Sequence, residues 1–307
     1  MSKEQRAAVD ARLRSAAFDG GLTPDELRKA FEAMMASGPP PLGVTLTPTT
    51  LGGRPALEIE PEGGAATGGT ILYFHGGAWV FGSPATARNL TAALVRRTGA
   101  RAVSLDYRLA PEHPFPAAIE DAVAAYRDLL DHGVAAERIV LAGDSAGGGL
   151  TVMTLLAARD AGLPLPAAAV AFSPGLDATR SGASMTTKHG IDPLFTRESL
   201  HHLGALHLAG QDPRQPLLSP AVYADLGGLP PLLLQAGSNE VLLDDSTRLA
   251  ARAAAAGVDV ILDVTADVPH VFQWFTGVLD EADAALDRAG RFIRDRLPSA
   301  PHRSTPH

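Results

Sequence analysis

The chain has 307 residues, 46% of them apolar and 20% charged, with a formal charge of −8 and no cysteine. The acidic balance and the lack of a basic patch exclude a phosphate-binding, nucleic-acid function, and the absence of cysteine excludes disulfides, thiolate nucleophiles and cysteine-bound metals. A chain of this size buries about three quarters of its unfolded surface, enough for one large domain with an accessory part.

Residues 3–17 and 24–36 have helical spacing, the second stretch opened by a Thr23 cap, Pro24 in the first turn and Asp25 and Glu26 against the helix dipole. The N-terminus is charged throughout and lacks the apolar core of a signal peptide, and no apolar run reaches membrane-spanning length, so the chain reads as cytoplasmic with no membrane partner. Gly38-Pro39-Pro40-Pro41 ends any helix. Short β-like runs follow at Val44–Thr47, Ala56–Glu60, Thr70–Phe74 and Ala102–Asp106, with a helical stretch at 84–98 between the last two. A helix at 116–131 precedes the apolar run Ile139–Ala142, and an Ala/Leu-rich helical pattern runs from Gly148 to Ala161. Apolar runs at Ala167–Phe172 and Leu232–Gln235, a helix at 244–256, a strand at Val258–Val264 and a helix at 278–296 complete the pattern.

This alternation predicts an α/β fold, a mostly parallel sheet with helices on both faces. Residues 178–220 interrupt it, with helical spacing only from Thr196 to Leu208, and read as an insertion over the carboxyl ends of the strands. The expected organisation is N-terminal cap helices in 1–43, a core in 44–177 and 221–297, a cap insertion in 178–220 and a disordered tail in 298–307. The strand at Val258–Val264 reads as an exposed edge, compatible with a homodimer.

Between the strand at 139–142 and the following helix stands Gly143-Asp144-Ser145-Ala146-Gly147. A strand–turn–helix this tight places the serine at its apex, and the flanking glycines leave room for the crossing backbone. A serine hydroxyl needs a base oriented by a carboxylate, and in this architecture the chain order is serine, acid, histidine. Of ten histidines only His270, His302 and His307 lie beyond the strand at Leu232–Gln235, and the last two fall in the proline-rich tail. His270 is the candidate base. Glu240, Asp244 and Asp245 are the candidate acids, with Glu240 nearest the strand end and the two aspartates placed as helix-start residues. The turn His75-Gly76-Gly77-Ala78-Trp79 directly follows the strand at 70–74 and offers backbone amides, with that of Ala146, as oxyanion donors.

On these residues the chain resembles the bacterial hormone-sensitive-lipase-like (family IV) carboxylesterases of the α/β-hydrolase superfamily. The likeness runs from Thr70 to Phe272 and rests on His75-Gly76-Gly77, on Asp106–Glu112 continuing through His113-Pro114-Phe115-Pro116-Ala117, and on Gly143–Gly147. The resemblance implies an eight-stranded sheet, a helical cap, no cofactor, and hydrolysis of short- to medium-chain acyl esters as small-molecule substrates. It implies Ser145, Glu240 and His270 as catalytic residues and Gly76, Gly77, Ala78 and Ala146 as the oxyanion hole. Two departures stand out: Ala78 replaces the third glycine of the family turn, and Glu240 replaces the first aspartate of Asp-Pro-Leu-x-Asp. The segment 106–117 is expected to brace the oxyanion turn. Trp79, Phe18, Phe31, Met34, Met35, Phe195 and Leu203 are candidates for an acyl pocket. His189, His201, His202 and His207 form no metal-ligand motif and read as a solvated cap surface. A deacetylase or amidase of a specific metabolite, and a non-catalytic small-ligand receptor, are the alternatives on the same fold.

Overall fold

The computed structural model describes residues 2–15, 22–36, 40–65 and 67–298. Strands β1 (Val44–Leu51), β2 (Arg54–Pro61), β3 (Thr70–Phe74), β4 (Arg101–Leu105), β5 (Ile139–Asp144), β6 (Ala168–Phe172), β7 (Leu232–Gly237) and β8 (Val260–Thr265) form one eight-stranded sheet in the order β1-β2-β4-β3-β5-β6-β7-β8. β1 and β2 are an antiparallel hairpin, β2 is antiparallel to β4, and the remaining pairs are parallel. The short runs expected at 44–47 and 56–60 are thus the ends of longer, mutually paired strands. Gly52 and Gly53, both at positive φ, make the two-residue turn between them.

The two-residue period of the strands divides the core between the two faces of the sheet. Leu72, Phe74, Ile139, Leu141, Ala169 and Ala171 face helices α4 (Ala117–Asp131), α5 (Ala146–Asp160) and α9 (Leu243–Ala255). Ile71, Tyr73, Val140, Ala142, Val170 and Phe172 face α3 (Pro84–Thr98) and α10 (Asp280–Arg294). Because α3 and α4 leave on opposite faces while β4 and β5 flank β3, strand order reverses at β3. That reversal opens a crevice at the carboxyl ends of β3 and β5, where ligands bind in such sheets.

The accessory helices pack at this end. α1 (Ser2–Ser15) sets Val9 and Leu13 against Val268, Phe272 and Phe275. α2 (Pro24–Ala36) sets Leu27 and Phe31 against Val80, Phe81, Val241 and Leu242, where they meet Met185, Phe195, Leu200 and Leu203 of the 178–220 segment. That segment holds α6 (Ser184–Thr187), α7 (Arg197–Leu208) and the start of α8 (Pro220–Tyr223), more helix than the single stretch its spacing predicted. No helix of the described residues is long and apolar enough to cross a membrane. β8 pairs only with β7 and leaves Ile261, Leu262 and Val264 exposed. The tail beyond Pro298 lies outside the described residues.

The β5–α5 crossing is the tightest point of the sheet. A Cβ on Gly147 would stand 2.0 Å from the Phe74 carbonyl oxygen and 2.5 Å from that of His75. The Phe74 carbonyl belongs to the end of the β3–β5 ladder and the His75 carbonyl is held by the Tyr107 hydroxyl, so neither retreats freely. Gly147→Ala is therefore expected to destabilise the fold by about 1–3 kcal/mol or more, read as a lower thermal midpoint. An unchanged midpoint contradicts this packing.

Candidate functional site

At the end of β5 the chain turns through Ser145 with φ 53 and ψ −117, and the helix begins at Ala146, two residues before the expected start. The Ser145 amide donates to the Phe172 carbonyl at 2.8 Å and its own carbonyl accepts from Gly149 and Gly175. Both backbone groups are therefore fixed, and the side chain points away from the sheet. The Ser145 hydroxyl lies 2.9 Å from His270 Nε2, and His270 Nδ1 lies 2.9 Å from Glu240 Oε2. His270 and Glu240 are wholly buried. Glu240, when ionised, only accepts, so Nδ1 carries the proton and Nε2 is left to accept from the serine hydroxyl. Burial raises the Glu240 carboxyl above its usual range, an effect opposed chiefly by the hydrogen bond from His270.

Asp244 is placed elsewhere. Its carboxylate accepts from the Ser184 amide at 2.9 Å, while the Ser184 hydroxyl donates to the Val241 carbonyl. Asp245 is buried and accepts from the amides of Leu176 and Asp177. The histidine loop sits against β7 because Gly237 has no side chain: a Cβ there would lie 2.4 Å from the Val268 and Pro269 carbonyl oxygens.

The turn after β3 holds Gly77 at φ 128, Ala78 at φ 53 and Trp79 at φ 59. Ala78 therefore adopts the left-handed backbone that the family glycine would supply, with its methyl group only partly buried. The Gly77 carbonyl accepts from the amides of Val80 and Phe81, closing the turn. Gly76 packs closely on Asp144: a Cβ there would lie 2.3 Å from its carboxylate oxygen. The 106–117 segment surrounds this turn. The Tyr107 hydroxyl donates to the His75 carbonyl at 2.7 Å, its ring stacks on His75 at 4.2 Å, and the Ala110 amide donates to the Trp79 carbonyl. Arg28 of α2 adds hydrogen bonds to the Val80 and Ala110 carbonyls and a fork onto Glu112.

These elements match a family model described as the alpha/beta hydrolase fold over residues 71–274. An acetyl-hydrolase from Streptomyces hygroscopicus is 47% identical over 266 residues, 87% of each chain. An esterase of Acinetobacter venetianus is 34% identical over 88% of this chain and 89% of that one. A crystal structure of an esterase from the bacterial hormone-sensitive lipase family superposes with a TM-score of 0.93 at 45% identity, over 96% of this chain and 99% of that one. The chain belongs to the α/β-hydrolase family, among the bacterial hormone-sensitive-lipase esterases.

Within this hydrolase the expected pocket residues divide. Phe195 meets the His270 ring edge-on at 5.2 Å, and Trp79 is buried against His207, their rings stacked at 4.5 Å. Phe31 packs on Phe81 and Trp274, and Leu203 joins the same cluster. Met34 and Met35 line a separate groove with Arg12 and Phe275. Phe18 lies outside the described residues. Among the four histidines read as solvated surface, His201 and His202 are exposed but His207 is buried, a correction that follows from its stacking on Trp79. No group of three or more metal-ligating side chains gathers among the described residues.

Some residues at the site carry no sequence signal of their own. Asp192 accepts from the amides of Leu194, Phe195 and Val241, which fastens the 178–220 segment to the Glu240 loop and sets Phe195 on His270. Asp144 accepts from the Tyr73 hydroxyl at 2.7 Å and the Trp274 indole at 3.0 Å, and burial lifts it to about 6. The aspartate itself is part of the serine pentapeptide, whereas its partners come from distant strands and loops. Only the fold brings them together.

Burial holds His207 down at about 3, against an ordinary value of 6.5. Above pH 6.5 neither the folded nor the unfolded chain protonates it; between 6.5 and 3 only the unfolded chain does, so acid favours unfolding. His207→Phe keeps an aromatic ring against Trp79 and removes that proton. Relative to wild type, the variant is expected to gain stability on acidification from pH 6.5 to 4.5, by roughly 1.4 kcal/mol per pH unit. Denaturant titrations at several pH values check this, and parallel pH profiles contradict it.

Proposed function

We propose that the protein is a serine carboxylesterase that hydrolyses short- to medium-chain acyl esters through an acyl-enzyme, with Ser145, His270 and Glu240 as nucleophile, base and acid. The observation that carries this reading is the hydrogen-bonded series Ser145–His270–Glu240, closed at 2.9 Å on both sides of the imidazole. The helices of 1–43 and the 178–220 segment act as the cap, since their side chains cluster with the turns that follow β3 and β7.

In the first step His270 Nε2 takes the Ser145 proton as Oγ attacks the ester carbonyl. The negative charge that forms on the carbonyl oxygen is met by the amides of Gly77, Ala78 and Ala146, the last at the N-terminus of α5, where the helix dipole adds to the effect. Each such donor is worth about 3 kcal/mol of barrier. Collapse of the intermediate breaks the C–O bond to the alcohol, which leaves with the proton from His270. Water then enters, gives its proton to His270 and attacks the acyl carbon; release of the carboxylic acid returns the proton to Ser145. Glu240 orients the imidazole and stabilises its charged form without itself taking the proton.

The acetyl-hydrolase name of the 47% identical relative favours a small acyl group and keeps deacetylation of an amide or ester within the same chemistry. The receptor alternative has no use for a serine hydroxyl aligned on a buried histidine and carboxylate.

Ser145→Ala is expected to lower kcat for p-nitrophenyl acetate and butyrate by at least about 10⁴-fold with the fold intact by circular dichroism. Glu240→Gln is expected to cost about 10²–10⁴-fold, and Asp244→Asn far less. Substantial turnover by the serine variant contradicts the proposal, and an inactive Asp244→Asn beside an active Glu240→Gln would move the acid.

A further inference from the structure

Behind the serine turn the fold leaves a cavity of about 110 Å³ whose lining includes Trp79, Met153, Gly175, Leu200, His207 and Arg180. It adjoins the nucleophile's own backbone, since the Gly175 amide donates to the Ser145 carbonyl at 3.1 Å. Its wall is fixed as well: a Cβ on Gly149 would meet the Gly175 carbonyl oxygen at 2.3 Å and the Trp79 ring at 3.1 Å. The volume is somewhat below the roughly 150 Å³ that admits a benzene ring, so a short chain fits and a long one does not.

The polar content of this cavity is unlike that of an acyl slot. Arg180 is only 7% exposed, yet its guanidinium makes a single long hydrogen bond, from Nη1 to the Asp177 carbonyl at 3.4 Å, and no ion pair among the described residues. The carboxylates whose charge reaches it are Asp245 and Asp177. Asp177 is engaged by Arg248 at 3.0 Å and by the Thr179 and Ser181 hydroxyls, and Asp245 by two backbone amides. Trp79 Nε1 and His207 Nε2 are buried without a hydrogen-bond partner. Arg180 also holds a left-handed backbone, φ 53, which is unfavourable for a residue with a side chain. Buried donors left without acceptors oppose folding, and a guanidinium fork matches a carboxylate in shape and charge.

We propose that this cavity selects esters that carry a carboxylate, which enters beside Ser145 and is bound by the Arg180 guanidinium with Trp79 and His207 as neighbouring donors. The proposal names the substrate class of the esterase reading and rests on it. The carboxylate belongs to either the acyl or the alcohol part of the ester, and the test separates the two.

Monoethyl succinate carries the charge on the acyl side and acetoxyacetate on the alcohol side; ethyl 4-methylpentanoate and isobutyl acetate are their neutral counterparts of similar shape. In a pH-stat assay one charged ester is expected to exceed its counterpart in kcat/KM by about tenfold or more, the effect of one charge-assisted hydrogen bond. Which pair shows the gain identifies the part of the substrate that enters. Arg180→Gln should erase that preference, with Arg180→Lys intermediate because it keeps the charge and loses the fork. The proposal is overturned if wild type prefers the neutral member of both pairs, a result that needs no variant to interpret. Calorimetric binding of the same esters to Ser145→Ala reads the preference without turnover. Loss of hydrolysis and loss of carboxylate selection are thus separate outcomes.

Discussion

The close crossing of two backbones at the end of β5 is the constraint from which the site follows. Gly143 and Gly147 allow α5 to leave directly behind β3, where a Cβ on Gly143 would meet the Gly147 carbonyl oxygen at 2.3 Å and one on Gly147 the Phe74 carbonyl oxygen at 2.0 Å. The same crossing forces Ser145 into its left-handed conformation, with its hydroxyl above the sheet and the Ala146 amide at the head of a helix. In the proposed mechanism the nucleophile and one oxyanion donor thus arise from one steric requirement. The strand reversal at β3 also sets the turn that follows β3, with its Gly77 and Ala78 amides, alongside the same crossing.

What surrounds this centre is fastened by polar contacts between segments far apart in sequence. Arg28 ties α2 to the turn after β3, Asp192 ties the 178–220 segment to the Glu240 loop, and Ser184 and Asp244 join the same two segments again. Each contact is partly or wholly buried, where a lost partner leaves a polar group unsatisfied. The accessory segments are therefore coupled to the placement of His270 and Glu240.

Much of the architecture was legible because it follows from local rules. Short continuous apolar runs mark the central strands, buried on both faces, the glycines of 143–147 mark the crossing, and chain order singles out His270. The β1–β2 hairpin is longer than its apolar runs predict because its outer strand is largely exposed and contains Pro48, so its apolar pattern is weak. The sequence separates Glu240 from Asp244 only by register; in the fold Glu240 meets His270 and Asp244 meets the Ser184 amide. Asp192, Arg180 and the burial of His207 carry no sequence signal because the 178–220 segment has little periodicity, and its contacts depend on tertiary placement alone.

The central claim is that Ser145 carries the acyl group between the two halves of the reaction. Rapid acid quenching during turnover of p-nitrophenyl acetate, followed by peptide mass mapping, tests it most directly. The account predicts an acetyl group on the peptide containing Ser145, formed with the first burst of p-nitrophenol and lost as turnover ends. Turnover without acylation, or with the acetyl group on another residue, would contradict it.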